Sequence, residues 1–237
     1  MPQIWVIYNL LQNSNMIRKV KLVSLISLLS ACSAILPVRA QEKKIDLGNT
    51  ANWQLYGRPH APFIGRDSIV FEHNDSTNGV LMLKNETIGD AVIELDVRGR
   101  NDMNSNFVGL AFHMENEKKY ELVYFRPFNF FNRDTLRRTR SVQYVFEPEF
   151  PWYKLREQHP GQYENRVVPT PDPDQWFHVR IVIAHPSIKV YVNNSASPCL
   201  SVESLSAAKT GRIGLHVGPG TRASFANLTI TPSKAAW

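Results

Sequence analysis

Two runs of alternating side chains, separated by a short charged turn, constrain this chain more than any other feature. They lie within Phe107–Pro127 and read FVGLAFH and YELVYFRP around MENEKK. Successive residues of a strand point to opposite faces. Val108, Leu110 and Phe112 therefore share one side, and Gly109, Ala111 and His113 the other. In the second run Val123 and Phe125 join the apolar side, and Tyr124 and Arg126 the opposite one. The pair reads as a hairpin with one face for a core. Its second face carries small residues, an aromatic, a histidine and a cation, the make-up of a shallow binding floor or of a half-solvated sheet.

The same period recurs along the chain. Asn52–Tyr56, Ser68–Glu72, Gly79–Leu83, Ala91–Arg98, Ser141–Phe146, Trp176–Ile183, Ile188–Val192, Arg212–Val217 and Ser224–Ile230 all read as short strands, with Gly, Pro and Asn between them. No amphipathic helix is predicted beyond a brief turn at 203–209. Many short alternating strands with turn residues between them predict an all-β fold, a jelly-roll β-sandwich of two curved antiparallel sheets. The length of 237 residues fits one such domain. Trp176 is expected in the core, and Cys199, beside Pro198 and Leu200, as a small buried hydrophobe.

One stretch breaks the rhythm. Residues 147–175 hold six prolines, at 148, 151, 160, 169, 171 and 173. That density argues against regular structure and predicts a long loop over the sheet. Loops of this length within a domain are commonly functional. This one carries Trp152, Tyr153, Arg156, Gln162, Tyr163 and Glu164, side chains that either contact a ligand or plug the loop onto the sheet.

The net charge of +6 is misleading. Residues 1–40 contain Arg18, Lys19, Lys21 and Arg39 and no acid; removing these four of the 27 basic residues leaves 23 against 21 acidic ones. Only Arg133–Arg140 resembles a basic run, so no nucleic-acid partner is expected. The first forty residues read as a signal peptide, with Met16 as an alternative start. A basic stretch at 17–21 precedes an apolar run from Leu22 to Leu36, and Val38 and Ala40 suit cleavage before Gln41. That run is short for a membrane span. The mature chain, 41–237, is expected to be secreted or periplasmic and to lack a transmembrane helix. Leu29-Ser-Ala-Cys32 offers the alternative of a lipid anchor on Cys32.

The segments VGLAFH, YELVYFRPFN, SVQYV, WYKLR, PGQYE, DPDQWFHVRIVI, VYVNN, TGRIGLHVG and FANLTI together resemble secreted bacterial proteins of the concanavalin A-like lectin/glucanase superfamily. Those proteins are grouped with family 16 glycoside hydrolase-like and 3-keto-disaccharide hydrolase-like domains. The resemblance covers about residues 45–232, with YFRPFN and the WYKLR…PGQYE pair its most distinctive parts. It implies a carbohydrate partner on the concave sheet face.

The active family 16 motif, Glu-x-Asp-x-x-Glu, is incomplete here. Its nearest match, Glu94-Leu-Asp96-Val-Arg98-Gly99, lacks the last acid, and Glu94 and Asp96 read as outer-face charges. Glycosidases place two carboxyl groups roughly 5 Å apart or roughly 6.5–9.5 Å apart. The acids able to reach the concave side are Glu121, Glu147, Glu149 and Glu164. Glu121 and Glu164 are the candidate catalytic pair, with His113 as a proton carrier. By alternation Glu121 falls on the Val123 side, where it needs burial with a cationic partner or a place at the strand edge. The candidate ligand-binding set is His113, Tyr124, Arg126, Asn129, Gln143, Trp152, Tyr153 and Arg156. Arg126 is suited to a sugar hydroxyl, a uronate carboxylate or Glu164.

No cofactor is expected. Asp172 and Asp174 form a turn or a weak calcium site, and His113, His178 and His216 lack ligand spacing for zinc. Three functions stay open: a carbohydrate-binding domain, a glycoside hydrolase acting on poly- or disaccharides, including 3-keto-glycosides, and a structural or adhesive envelope module.

Overall fold

The computed structural model describes residues 41–233; the expected signal peptide and Cys32 lie outside the described residues. In chain order the strands are β1 (Lys43–Lys44), β2 (Trp53–Tyr56), β3 (Phe63–Ile64), β4 (Ser68–Phe71), β5 (Gly79–Ile88), β6 (Ala91–Arg98), β7 (Val108–Met114) and β8 (Tyr120–Phe125). They continue as β9 (Val142–Glu147), β10 (Glu164–Asn165), β11 (Phe177–Ala184), β12 (Ser187–Val192), β13 (Leu200–Glu203), β14 (Gly211–Val217) and β15 (Ala223–Pro232). Two short helices, α1 (Thr135–Arg138) and α2 (Trp152–Gln158), lie between β8 and β10.

The strands form two antiparallel sheets, as the alternation predicts. The front sheet runs β10-β9-β8-β7-β14-β5-β2; the back sheet runs β13-β12-β11-β6-β15-β4-β3, with β1 also pairing β15. In the back sheet Ile93, Leu95 and Val97 point inward beside Phe177, Val179, Ile181 and Ile183. Val92, Glu94 and Asp96 alternate outward, half-buried. The two sheets meet through rings: Phe125 packs edge-on to Phe177 at 5.3 Å, and Phe130 does so at 5.6 Å. Such pairs add about 0.5–1.5 kcal/mol each to the burial itself.

The central strands of the front sheet are buried on both faces. Val108, Leu110, Phe112, Val123 and Phe125 face the sandwich core, as expected. The opposite face forms a second apolar cluster of Val80, Met82, Ala111, Leu122, Tyr124 and Val145, capped by Leu155 of α2. The 147–175 segment is thus not devoid of regular structure. Its prolines sit at the boundaries, with Pro151 as N-cap of α2 and Pro160 just beyond its end. The proline-free WYKLREQ between them is free to wind, and Leu155 fastens it to the sheet. No helix forms at 203–209, where the chain leaves β13 as an irregular segment.

Trp176 is not in the core. It is 40% exposed, with the Arg98 guanidinium 5.3 Å from its ring, and Phe177 takes the buried position. Cys199 is buried, and burial pushes its thiol up to about 12. Among the described residues no helix is long and apolar enough to cross a membrane.

The end of β7 also departs from the alternation. The β14–β7 register slips between Arg212, opposite Met114, and Gly214, opposite Ala111. This is a bulge, and His113 adopts φ +45° within it. The alternation fails there, and His113 turns into the sandwich, where its Nδ1 lies 2.7 Å from Glu121 Oε2. Glu121 also accepts from Tyr144 and Ser204, each at 2.6 Å. Both Glu121 and His113 have wholly buried side chains.

Candidate functional site

The register of the front sheet sets one row of residues across its outer face. Tyr56 pairs Val80, Val80 pairs His216, His216 pairs Gly109, Gly109 pairs Tyr124, Tyr124 pairs Gln143, and Gln143 pairs Glu164. Residues directly opposite across a ladder share a face, so all seven lie on the face away from the core. Gly109 is required in the row: a Cβ there would stand 2.1 Å from the Val123 carbonyl oxygen and 2.7 Å from Tyr124 Cβ. The row forms part of the floor of a groove of about 1210 Å³. One wall comes from α2 through Trp152, Tyr153 and Arg156, and another from the α1 region through Asp134, Arg137 and Arg140.

Arg126 is the centre of the polar floor. It lies where β8 ends, just before a 3-10 turn at Pro127–Asn129 that is itself buried. Its Nη2 donates to Tyr124 Oη at 2.5 Å and to Gln143 Oε1 at 2.8 Å, and its Nη1 donates to the Arg140 carbonyl at 2.9 Å. The guanidinium stands 4.7 Å from the Tyr124 ring and 5.8 Å from that of Phe107. Burial, with Arg156 and Arg140 close by, lowers its pKa; the Tyr124 hydroxyl and Glu164 oppose this. Burial raises the pKa of Tyr124, with Arg126 and Arg156 opposing, so the phenol keeps its proton at neutral pH. With its oxygen already accepting from Arg126, the Tyr124 O–H is free to donate. Asn129 fixes the same corner by donating to the Arg140 carbonyl at 3.2 Å.

Glu164 ends the row, and its place there explains how the loop is held. Arg156 Nε donates to both its oxygens, at 3.0 and 2.9 Å, and Arg156 Nη2 to Oε2 at 2.7 Å. Arg140 Nε lies 3.4 Å from Oε1, an ion pair outside hydrogen-bond geometry. Arg156 also stacks on Trp152 at 4.8 Å. The ion pair thus joins α2 to the edge strand β10 and positions the two aromatics of the wall.

Of the expected binding residues, Tyr124, Arg126, Asn129, Trp152, Tyr153 and Arg156 line the groove. Gln143 lies beneath, fully buried, and supports Arg126. His113 does not reach the groove, because the bulge at the end of β7 turns it inward. Glu121 does not reach it either, since it faces Phe112 across the ladder on the core side. The expected Glu121–Glu164 pair is therefore split by the front sheet, and His113 has no path to carry a proton between them and the groove. Asp172 and Asp174 serve turns: Asp172 accepts from the Asp174 amide at 2.9 Å, and Asp174 from that of Asn101 at 3.0 Å. Among the described residues no three His, Cys, Asp or Glu side chains converge to hold a metal. His178 bonds instead to Asp96 on the outer face of the back sheet, at 2.9 Å.

Among the groove residues outside the candidate catalytic and ligand-binding sets are His216, Arg137, Arg140 and Glu147, the last of which was expected only as an acid able to reach the concave side. His216 was readable from TGRIGLHVG, where alternation pairs it with Gly214, but nothing there identified the neighbouring strand. It is neutral at physiological pH, since burial and then Arg58 lower its pKa to about 3. Arg137 and Arg140 read as solvated loop charges until α1 folds them over the rim. Glu147, opposite Tyr120, lines the groove, and burial, then Glu149, raises its pKa. Residues 143 and 147 stand four apart on β9, about 13 Å at the usual rise. The backbones of Glu147 and Glu164 are thus offset along the sheet by about that distance.

The architecture recurs in solved structures. A Bacillus subtilis protein with a galectin-like fold is 12% identical, with a TM-score of 0.55 over 80% of this chain and 94% of its own. The carbohydrate-binding module CBM66 from Bacillus subtilis is 14% identical, with a TM-score of 0.53 over 76% of this chain and 95% of its own. The lumenal domain of VIP36, in a form bound to Ca2+ and Man3GlcNAc, is 8% identical, with a TM-score of 0.56 over 79% and 87%. These likenesses concern the fold, which is that of the concanavalin A-like lectins and glucanases. No curated protein matches the sequence. A family model, described as a 3-keto-alpha-glucoside-1,2-lyase-like domain, matches residues 44–231, which is nearly all of the sandwich. This chain belongs to the family of 3-keto-alpha-glucoside-1,2-lyase-like domains.

Proposed function

We propose that this domain takes a glucoside or short oligosaccharide in the groove between the front sheet and α2. One observation carries the reading. A floor of fixed polar groups, Tyr124, Arg126 and Asn129, faces two large aromatics that remain well exposed, Trp152 at 46% and Tyr153 at 61%. Sugars present C–H faces to aromatic rings and hydroxyls to oriented donors, and ligand grooves combine apolar walls with a few placed polar groups. The family description and the carbohydrate-binding proteins of the same fold support it. Calorimetry against a panel of oligosaccharides tests it. Trp152→Ala and Arg126→Ala are expected to weaken binding by about tenfold or more. No binding by the wild type, or equal binding by both variants, refutes it.

A second reading is favoured by family membership: cleavage of a 3-keto-α-glucoside. A ketone at C3 acidifies the proton on C2. Removing that proton while the C1–O bond breaks leaves an unsaturated keto sugar and frees the aglycone, whose oxygen takes up a proton. Arg126 and the Tyr124 hydroxyl are placed to stabilise a developing oxyanion, and Glu147, with its raised pKa, is the candidate for proton transfer. A paired-carboxylate hydrolysis is disfavoured because Arg156 holds both oxygens of Glu164. Incubation with a 3-keto-α-disaccharide should release the aglycone sugar, and Glu147→Gln should slow the release; no release by the wild type excludes this reaction for that substrate.

Residues 1–40 are proposed to export the chain, with cleavage before Gln41. Mass spectrometry of the mature protein tests this; a lipidated Cys32 at its N-terminus refutes it.

A further inference from the structure

We propose that the end of the groove at Arg126 is a subsite for an anionic substituent on the sugar, a carboxylate or a sulfate ester. The inference rests on the groove being a sugar site and adds the class of sugar. A buried cation ordinarily has a counter-ion, because removing a charge from water is costly unless it is paired. Arg126 is 5% exposed, yet the groups it donates to are all neutral: a phenol, an amide and a carbonyl. No carboxylate lies within ion-pair distance of it among the described residues.

Its surroundings add positive charge. Arg140 and Arg156 both lie close enough to disfavour its charged form, and the two share the single carboxylate of Glu164. Three guanidiniums and one carboxylate leave this corner with a net charge of +2. The other acids of the groove are engaged or unpaired with Arg126. Asp134 accepts from the Leu136 amide as N-cap of α1, at 2.8 Å, and Glu147, close enough to act on Tyr124, makes no ion pair with Arg126. Unsatisfied polar groups surround the same corner. Arg140 Nε, Gln143 Nε2 and Asn129 Oδ1 are buried without a hydrogen-bond partner, although Arg140 Nε keeps its ion pair with Glu164. Beyond these bonds Arg126 keeps one N–H on Nε and one on Nη1, each able to meet an oxygen of a carboxylate or sulfate.

Calorimetry of the mature chain with methyl α-D-glucuronide, methyl α-D-glucoside 6-sulfate and neutral methyl α-D-glucoside tests the assignment. At least one anionic glycoside is expected to bind about tenfold or more tighter than the neutral one, with a preference that shrinks as salt rises. Which of the two is preferred identifies the substituent. Arg126→Lys should cut the preference severalfold, and Arg140→Gln, at a more exposed position, provides the same readout if the first variant folds poorly. Neutral glycoside binding as tightly as both acidic ones overturns this inference alone. Binding of none of the three overturns it together with the sugar reading.

Discussion

Lowering the pH from 7.5 to 5 should destabilise this domain through His216, by an amount that follows from its burial. Inside the fold, burial and then Arg58 depress its pKa to about 3; in the unfolded chain it titrates near the usual value of about 6.5. Between these values the unfolded state binds a proton that the folded state refuses, so stability falls as pH falls through this window and is flat above it. At pH 5 the imidazole is about 97% charged in the unfolded chain and almost wholly neutral in the fold. The corresponding loss relative to pH 7.5 is about 2 kcal/mol. That figure barely moves if the folded value is one unit higher, because the unfolded pKa sets it. For a domain of this size it corresponds to a melting temperature lower by about 4–8 °C. Other groups titrate over the same range, so the measurement is a difference. Urea unfolding of the wild type and of His216→Gln at both pH values isolates the term, since glutamine stays neutral throughout. The variant should lose about 2 kcal/mol less than the wild type on acidification. Equal losses, or a folded-state His216 found by NMR to titrate above pH 5, would refute the reasoning.

Two further outcomes follow from the carboxylates of Glu121 and Glu164. Glu121→Ala strips His113, Tyr144 and Ser204 of their shared partner within the sandwich, and should cost about 3–5 kcal/mol in urea unfolding; a loss below about 1 kcal/mol would mean that the network adds little. Glu164→Gln should weaken the tie between α2 and β10 and speed limited proteolysis within 148–163. Cleavage at an unchanged rate would show that Leu155 alone holds the helix.

The fold was legible because it rests on period. Strict alternation in β6, β7, β8 and β11 assigns each side chain to a face without knowledge of its partners, and the core follows. The same rule correctly placed Tyr124 and Arg126 opposite Val123 and Phe125. It failed at His113, where one bulge residue with a positive φ reverses the facing. A bulge arises from the mismatch between two strands, and β7 alone carries no sign of it. It also failed for the 147–175 segment, where counting prolines hid the proline-free turn of α2 between Pro151 and Pro160.

What the local sequence determined by itself is the set of strands, their inward faces and the loop rich in Trp, Tyr and Arg. What only the tertiary structure decided is which groups meet. Arg126 and Glu164 are 38 positions apart, and their place at one corner depends on β8 pairing β9 and β9 pairing β10. Glu121 and Glu164 look equivalent as candidate acids, yet the front sheet stands between them. His216 joins the floor only because β14 inserts between β5 and β7. Long-range strand order is fixed by how two sheets jointly bury their apolar faces, and that property belongs to no single segment.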